Sequence, residues 1–300
     1  MPSVTADTSM PSTDDFFIGL EQIIVPIAGK KFEKLAITVT KFIAHEYGAH
    51  VLLYNVGSDP NKPIFTELVS LLKSVKVKVD FESETLPKDK TIPQMIIRRY
   101  EKDPFQLMII PSKRRSKRID KFLWNSVSAK VIPNVGIDVL QVYAQKKIPQ
   151  EIVLKDIGCL IPFSKRDPYL IRWAASIITS KVDANPLIAY HVDEYPLVTP
   201  SEFVSKDPEY LKHKADFEKR MKYFSERYSI EMKTQMVIGK TMQKTLEQVL
   251  NKDNLDLVLM GATKIPAKFH FGRTMSEKLI DNLKCGVVIH HWRVNHRNGL

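Results

Sequence analysis

The chain repeats itself. QIIVPIAG (22–29) matches GCLIPFSK (158–165), and YNV (54–56) matches YHV (190–192), both at an offset of 136 residues. FQLMIIPSK (105–113) then matches LDLVLMGAT (255–263), and NSVSAKVI (125–132) matches RTMSEKLI (273–280). Each copy closes on a β-rich stretch, GIDVLQVY (136–143) and GVVIHHW (286–292). The offset lengthens to about 150 in the later matches, so the second copy carries extra residues between its second and third strands. A period this long is no solenoid repeat and means two domains. The divisions are a flexible lead-in over 1–19, a first domain over 20–145 and a second over 151–295.

Within each copy, short continuous apolar runs such as QIIVPI and DLVLM suit strands covered on both faces. Helical patterns lie between them. Thr91 followed by Pro93 marks a helix start carrying Met95, Ile96 and Tyr100, and Thr241 is placed to cap a helix bearing Met242, Leu246, Val249 and Leu250. Tyr210, Phe217, Met221, Phe224 and Tyr228 form a longer stripe, and Met275, Leu279, Ile280 and Leu283 another. The alternation predicts an α/β fold: two tandem open sandwiches, each a mostly parallel five-stranded sheet flanked by helices. Ligands in such sheets bind beyond the carboxyl ends of the strands, where strand order reverses. If strand one neighbours strand four, the crevices lie between IIVPIAG and MIIPSKRR in the first copy, and between LIPFSK and VLMGATK in the second.

The 44% apolar content supports real cores, and no run of about 18 apolar residues predicts a membrane span. The Ser-, Thr- and Pro-rich start lacks the pattern of a signal peptide. Cys159 and Cys285, both in apolar surroundings, read as buried free thiols in a reducing cytoplasm. The net charge of +11 is spread along the chain rather than gathered into one nucleic-acid-binding domain. KRRSKR (113–118) is the exception, with five cationic residues of six. Few aromatics lie near it to stack bases, which disfavours nucleic acid.

These residues resemble the universal stress protein family, here as a tandem pair. The marks are VPIAG and LIPFS on strand one, YNV and YHV on strand two, and, in the second copy, LVLMGATK and GRTMSEKLI. The resemblance implies an adenine nucleotide alpha hydrolase-like fold and a non-catalytic binding or regulatory module in stress response, with ATP or another adenine nucleotide as ligand. In nucleotide-binding members the loop after strand four reads G-x2-G-x9-G-[ST], and an acid near the end of strand one contacts the adenosine. Glycines there let backbone N–H groups approach phosphate, aided by the helix N-terminus.

The second copy keeps part of this. Gly261 holds the first glycine position, with Thr263 beside it; Lys264 replaces the second glycine. Gly272 and Thr274 approximate the closing Gly-[Ser/Thr], but Arg273 intervenes and the spacing is one short; Met275 follows, and Lys264 and Arg273 are placed to supply phosphate charge. Pro162, Phe163 and Ser164 follow strand one, with Ser164 where the acid is expected, and His191 and Val192 end strand two. The first copy has departed further: Ala28 replaces the acid, Pro111 the first glycine, and Trp124 and Asn125 fill the closing region. Any anion there would meet side chains alone, from Lys113, Arg114, Arg115, Lys117, Arg118 and Ser126. The alternative reading is a nucleotide-independent scaffold whose basic loops bind an acidic partner or other anion. No catalytic constellation and no metal site emerges; His290, His291 and His296 read as strand and tail residues. Pairing between the last strands of the two copies, making an internal pseudo-dimer, is the expected partnership. A homodimer and an acidic protein partner are the others open to it.

Overall fold

A computed structural model describes residues 19–114, 126–181, 183–194, 206–239, 241–262 and 275–292. The first half runs β1 (Gln22–Ile27), α1 (Glu33–Tyr47), β2 (His50–Val56), α2 (Pro63–Lys73), β3 (Val79–Glu84), α3 (Ile92–Lys102), β4 (Leu107–Ser112), α4 (Val127–Val131) and β5 (Asp138–Tyr143). The second runs β6 (Ile157–Leu160), α5 (Asp167–Thr179), β7 (Leu187–Glu194), α6 (Pro208–Tyr228), β8 (Met232–Gly239), α7 (Met242–Lys252), β9 (Leu257–Gly261), α8 (Met275–Asn282) and β10 (Gly286–His291).

The ten strands form one sheet in the order β3-β2-β1-β4-β5-β10-β9-β6-β7-β8. Within each half every pairing is parallel, and strand one neighbours strand four. The halves meet at β5 and β10, which pair antiparallel. There Leu140 stands opposite His290. These two occupy the same place in the duplicated stretches starting at Gly136 and Gly286, as an approximate two-fold axis between the halves requires. Beside them, the equivalent residues Gln141 and His291 bond to each other, Oε1 to Nε2 at 3.0 Å. The Gln141 amide donates to the Ser112 and Ser128 hydroxyls, both at 2.9 Å. Its carbonyl oxygen therefore faces His291, which must donate through Nε2–H. Burial pushes the His291 pKa down to about 4, so this ring is neutral at ordinary pH.

The central strands are buried on both faces because helices cover both. On one face α1 and α2 from the first half and α5 and α6 from the second pack over a single apolar core that runs through both halves. On the other face each half has its own cluster. Polar stitches reinforce the shared face: the Tyr47 hydroxyl accepts from Arg172 Nε at 2.8 Å and Ser176 Oγ at 3.0 Å, and Ser180 Oγ donates to the Phe42 carbonyl at 2.9 Å. Two domains with wholly separate cores are thus not what forms.

Helix starts follow local chemistry. Thr91 and Gln94 form a reciprocal capping box at α3. Thr241 sits at the N-cap of α7 without bonding through its hydroxyl; the Glu194 carboxylate accepts the Met242 N–H instead, at 2.6 Å. The extra residues of the second half lengthen its second helix, 21 residues in α6 against 11 in α2. Tyr210, Phe217, Met221 and Phe224 of α6 are buried, as a stripe at helical spacing requires. Both cysteines are buried and free. Among the described residues, no helix is long and apolar enough to cross a membrane.

Candidate functional site

In the second half the chain leaves β6 through Ile161, Pro162, Phe163 and Ser164. Phe163 takes φ 56°, the left-handed region, which costs a bulky residue about 1–3 kcal/mol. The turn persists because Asp167, on the first turn of α5, ties it down. The Asp167 carboxylate accepts from the Ser164 N–H at 2.9 Å and the Ser164 hydroxyl at 2.8 Å. Arg220, on the lengthened α6, donates to the Ser164 carbonyl at 2.9 Å and lies 3.4 Å from the same carboxylate. Asp167 is 1% exposed. Desolvation pushes its pKa up to about 6, against the opposing pull of Arg220 and the Ser164 bonds.

The first half uses the same device. Glu33, 2% exposed and on the first turn of α1, accepts from the Ala28 N–H at 2.8 Å and the Lys30 N–H at 3.0 Å. Both halves therefore carry a buried acid a few residues after strand one, facing back into the loop. Sequence reasoning looked for it at Ala28 and Ser164 and missed it. The available signal was an acidic residue opening each first helix. Arg220 carried no signal, because it arrives from 56 residues away in sequence.

Above the carboxyl ends of β6, β7 and β9 lies a cavity of about 340 Å³. Its walls are largely apolar: Leu160, Ile161, Pro162, Val192, Met242 and Met260, with Gly261 at the end of β9. A Cβ on Gly261 would meet nothing within 4 Å, so this glycine borders open space. The polar lining includes Ser164, Asp167, His191 and His290. His191 Nδ1 lies 2.7 Å from the Ile161 carbonyl, which can only accept, so that nitrogen carries the proton. Burial lowers the His191 pKa, leaving Nε2 of the neutral ring as an acceptor. Phe163 and Phe217 pack against this ring at centroid distances of 4.4 and 5.7 Å.

The structure thus brings together Pro162, Ser164, His191, Val192 and Gly261, with Phe163 behind them. Thr263, Lys264, Gly272, Arg273 and Thr274 lie outside the described residues, as does the Met275 side chain. His290, assigned from sequence to strand packing, joins the cavity wall.

The first-half candidates are differently disposed. Arg115, Lys117 and Arg118 lie outside the described residues, and Lys113 is exposed. Arg114 is not an anion ligand here; its guanidinium turns inward. Nε donates to the Ala144 carbonyl at 2.6 Å and Nη1 to the Ile280 carbonyl at 2.7 Å. Further bonds run to the carbonyls of Leu283 and Cys285. Ile280 lies in the last turn of α8 and Leu283 just follows it, so the guanidinium sits at the negative end of that helix, where carbonyls lack intrahelical donors. Ser126 is likewise committed: its hydroxyl accepts the Ala129 N–H at 3.2 Å and caps α4. Among the described residues, no group of three or more metal-ligating side chains is placed to hold an ion.

No family model and no curated protein matches the chain. Solved structures do. A universal stress protein from Archaeoglobus fulgidus DSM 4304 is 15% identical, with TM-score 0.55, over 91% of this chain and 97% of that one. A protein of unknown function from Pseudomonas aeruginosa PAO1 is 15% identical, with TM-score 0.58, over 90% and 92%. Likeness at this identity is likeness of fold: the chain carries the universal stress protein fold, twice over and in tandem.

Proposed function

We propose that this protein is a non-catalytic binding module of the universal stress protein type, acting in stress response, whose second half takes an adenine nucleotide. The observation that carries the reading is the cavity of about 340 Å³ at the point where strand order reverses, between β6 and β9. Its size falls within the range of small-molecule sites, and its mix of apolar walls with a few convergent polar groups suits a planar heterocycle. The Asp167 carboxylate is taken up by Ser164 and Arg220, which supports binding rather than turnover. Two buried free thiols fit a reducing compartment such as the cytoplasm.

Calorimetry with ATP tests the reading. Saturable heat is expected from wild type and none from Gly261→Trp, whose indole would enter the open space beside β9. Gly261→Ala should bind and fold normally, since its Cβ meets nothing within 4 Å. Absence of heat from wild type at millimolar ATP would refute the nucleotide and favour the scaffold.

A further inference from the structure

His290 is buried, 3% exposed, yet its ring lines the cavity. Trp173 and Trp292 flank it edge-on, with centroids at 6.4 and 6.0 Å, and Tyr169 packs against Trp292 at 3.7 Å. A ring held between two indoles has a fixed orientation. Its Nε2 is fully buried and has no hydrogen-bond partner in the protein. That atom lies 3.4 Å from Oδ2 of Asp138, at the start of β5 in the first half. The contact lies outside hydrogen-bond geometry, but a carboxylate so close favours the proton on Nε2 by its charge. In the neutral ring Nδ1 then carries the lone pair.

We propose that His290 is a ligand-contacting specificity residue of the second-half site, with Nδ1 accepting from an N–H group of the ligand and Asp138 acting as the positioning residue that selects the tautomer. This rests on reading the cavity as a nucleotide site. It adds a preference, for a base bearing an amino group over one bearing a carbonyl in its place. It also makes the site composite: the first half, whose own phosphate loop has diverged, orients a binding group of the second. Buried donors and acceptors discriminate strongly because a mismatched partner leaves them unpaired.

Two measurements test it. Long-range ¹⁵N–¹H NMR of the ligand-free chain, with His290 assigned by its loss in His290→Gln, is expected to show the Nε2–H tautomer. Asp138→Asn should move it toward a mixture. Calorimetry with ATP and inosine triphosphate is expected to show about tenfold tighter binding of ATP to wild type, the worth of one well-placed hydrogen bond. His290→Phe should erase that ratio by weakening ATP alone; His290→Gln, which retains an acceptor, should keep part of it. An Nδ1–H tautomer, or an unchanged ratio in His290→Phe, would overturn the role of His290 while leaving nucleotide binding intact. Failure of wild type to bind either nucleotide would overturn the nucleotide reading, and the base preference with it.

Discussion

Replacing Arg114 by Ala removes one side chain and strips donors from four carbonyls, those of Ala144, Ile280, Leu283 and Cys285. Three of them belong to the other half of the molecule. A hydrogen bond to a charged group contributes about 1.5–3 kcal/mol. Four such bonds would overstate the net effect, because burying the guanidinium has its own cost: desolvation is the dominant influence on this group and lowers its pKa. What Arg114→Ala leaves behind is neutral carbonyls, at about 1–3 kcal/mol for each acceptor that water does not reach, so about 3–5 kcal/mol for the set. At about 2–4 °C per kcal/mol for chains of this order of size, the melting temperature should fall by roughly 6–20 °C. Urea unfolding followed by circular dichroism reads the free energy directly, and scanning calorimetry the temperature. Arg114→Lys should recover less than half, since one ammonium cannot reproduce the planar fork. The contrary outcome is clear-cut. If Arg114 served a solvated anion site, Arg114→Ala would unfold within about 0.5 kcal/mol of wild type, as surface changes do, and the inward-facing role would be refuted.

Gly286→Ala tests the packing between halves at a second point: its Cβ would meet Leu35 Cδ2 at 2.6 Å and Leu257 Cδ1 at 3.0 Å. The expected loss is about 1–3 kcal/mol by urea unfolding, and no loss would show that the interface yields freely. Asp167 predicts a pH dependence. Its folded pKa of about 6 lies above the ordinary 3.8, so between these values the folded chain holds a proton that the unfolded chain has released. Its contribution to stability therefore falls as pH rises through that window, by roughly 3 kcal/mol at 1.36 kcal/mol per unit. The difference in unfolding free energy between wild type and Asp167→Asn should track this from pH 4 to pH 7; a flat difference would contradict it.

Much of the fold was legible in the residues. Two copies in the same order, apolar runs of strand length and stripes at helical spacing all follow from patterns confined to a few turns or one strand, where the solvent-facing side is set by local periodicity. The position of the cavity was legible too, because parallel strand order dictates where the carboxyl ends open. What could not be read was which side chains meet there. Ser164 stands where the family pattern has an acid, and the buried carboxylate that holds it comes from Asp167 on the next helix. Arg114 sits in a run of solvated-looking cations, and only the arrival of α8 beside it provides carbonyls that draw it inward. His290 on its strand looks like any half-polar residue until β5 of the other half brings Asp138 to 3.4 Å. The duplication and the alternation of elements were therefore determined by sequence alone, since burial repeats along the chain. The long-range partners of Arg114, Arg220 and His290 were decided only by the tertiary structure, since electrostatic pairing depends on distance through space between segments 56 residues apart or more.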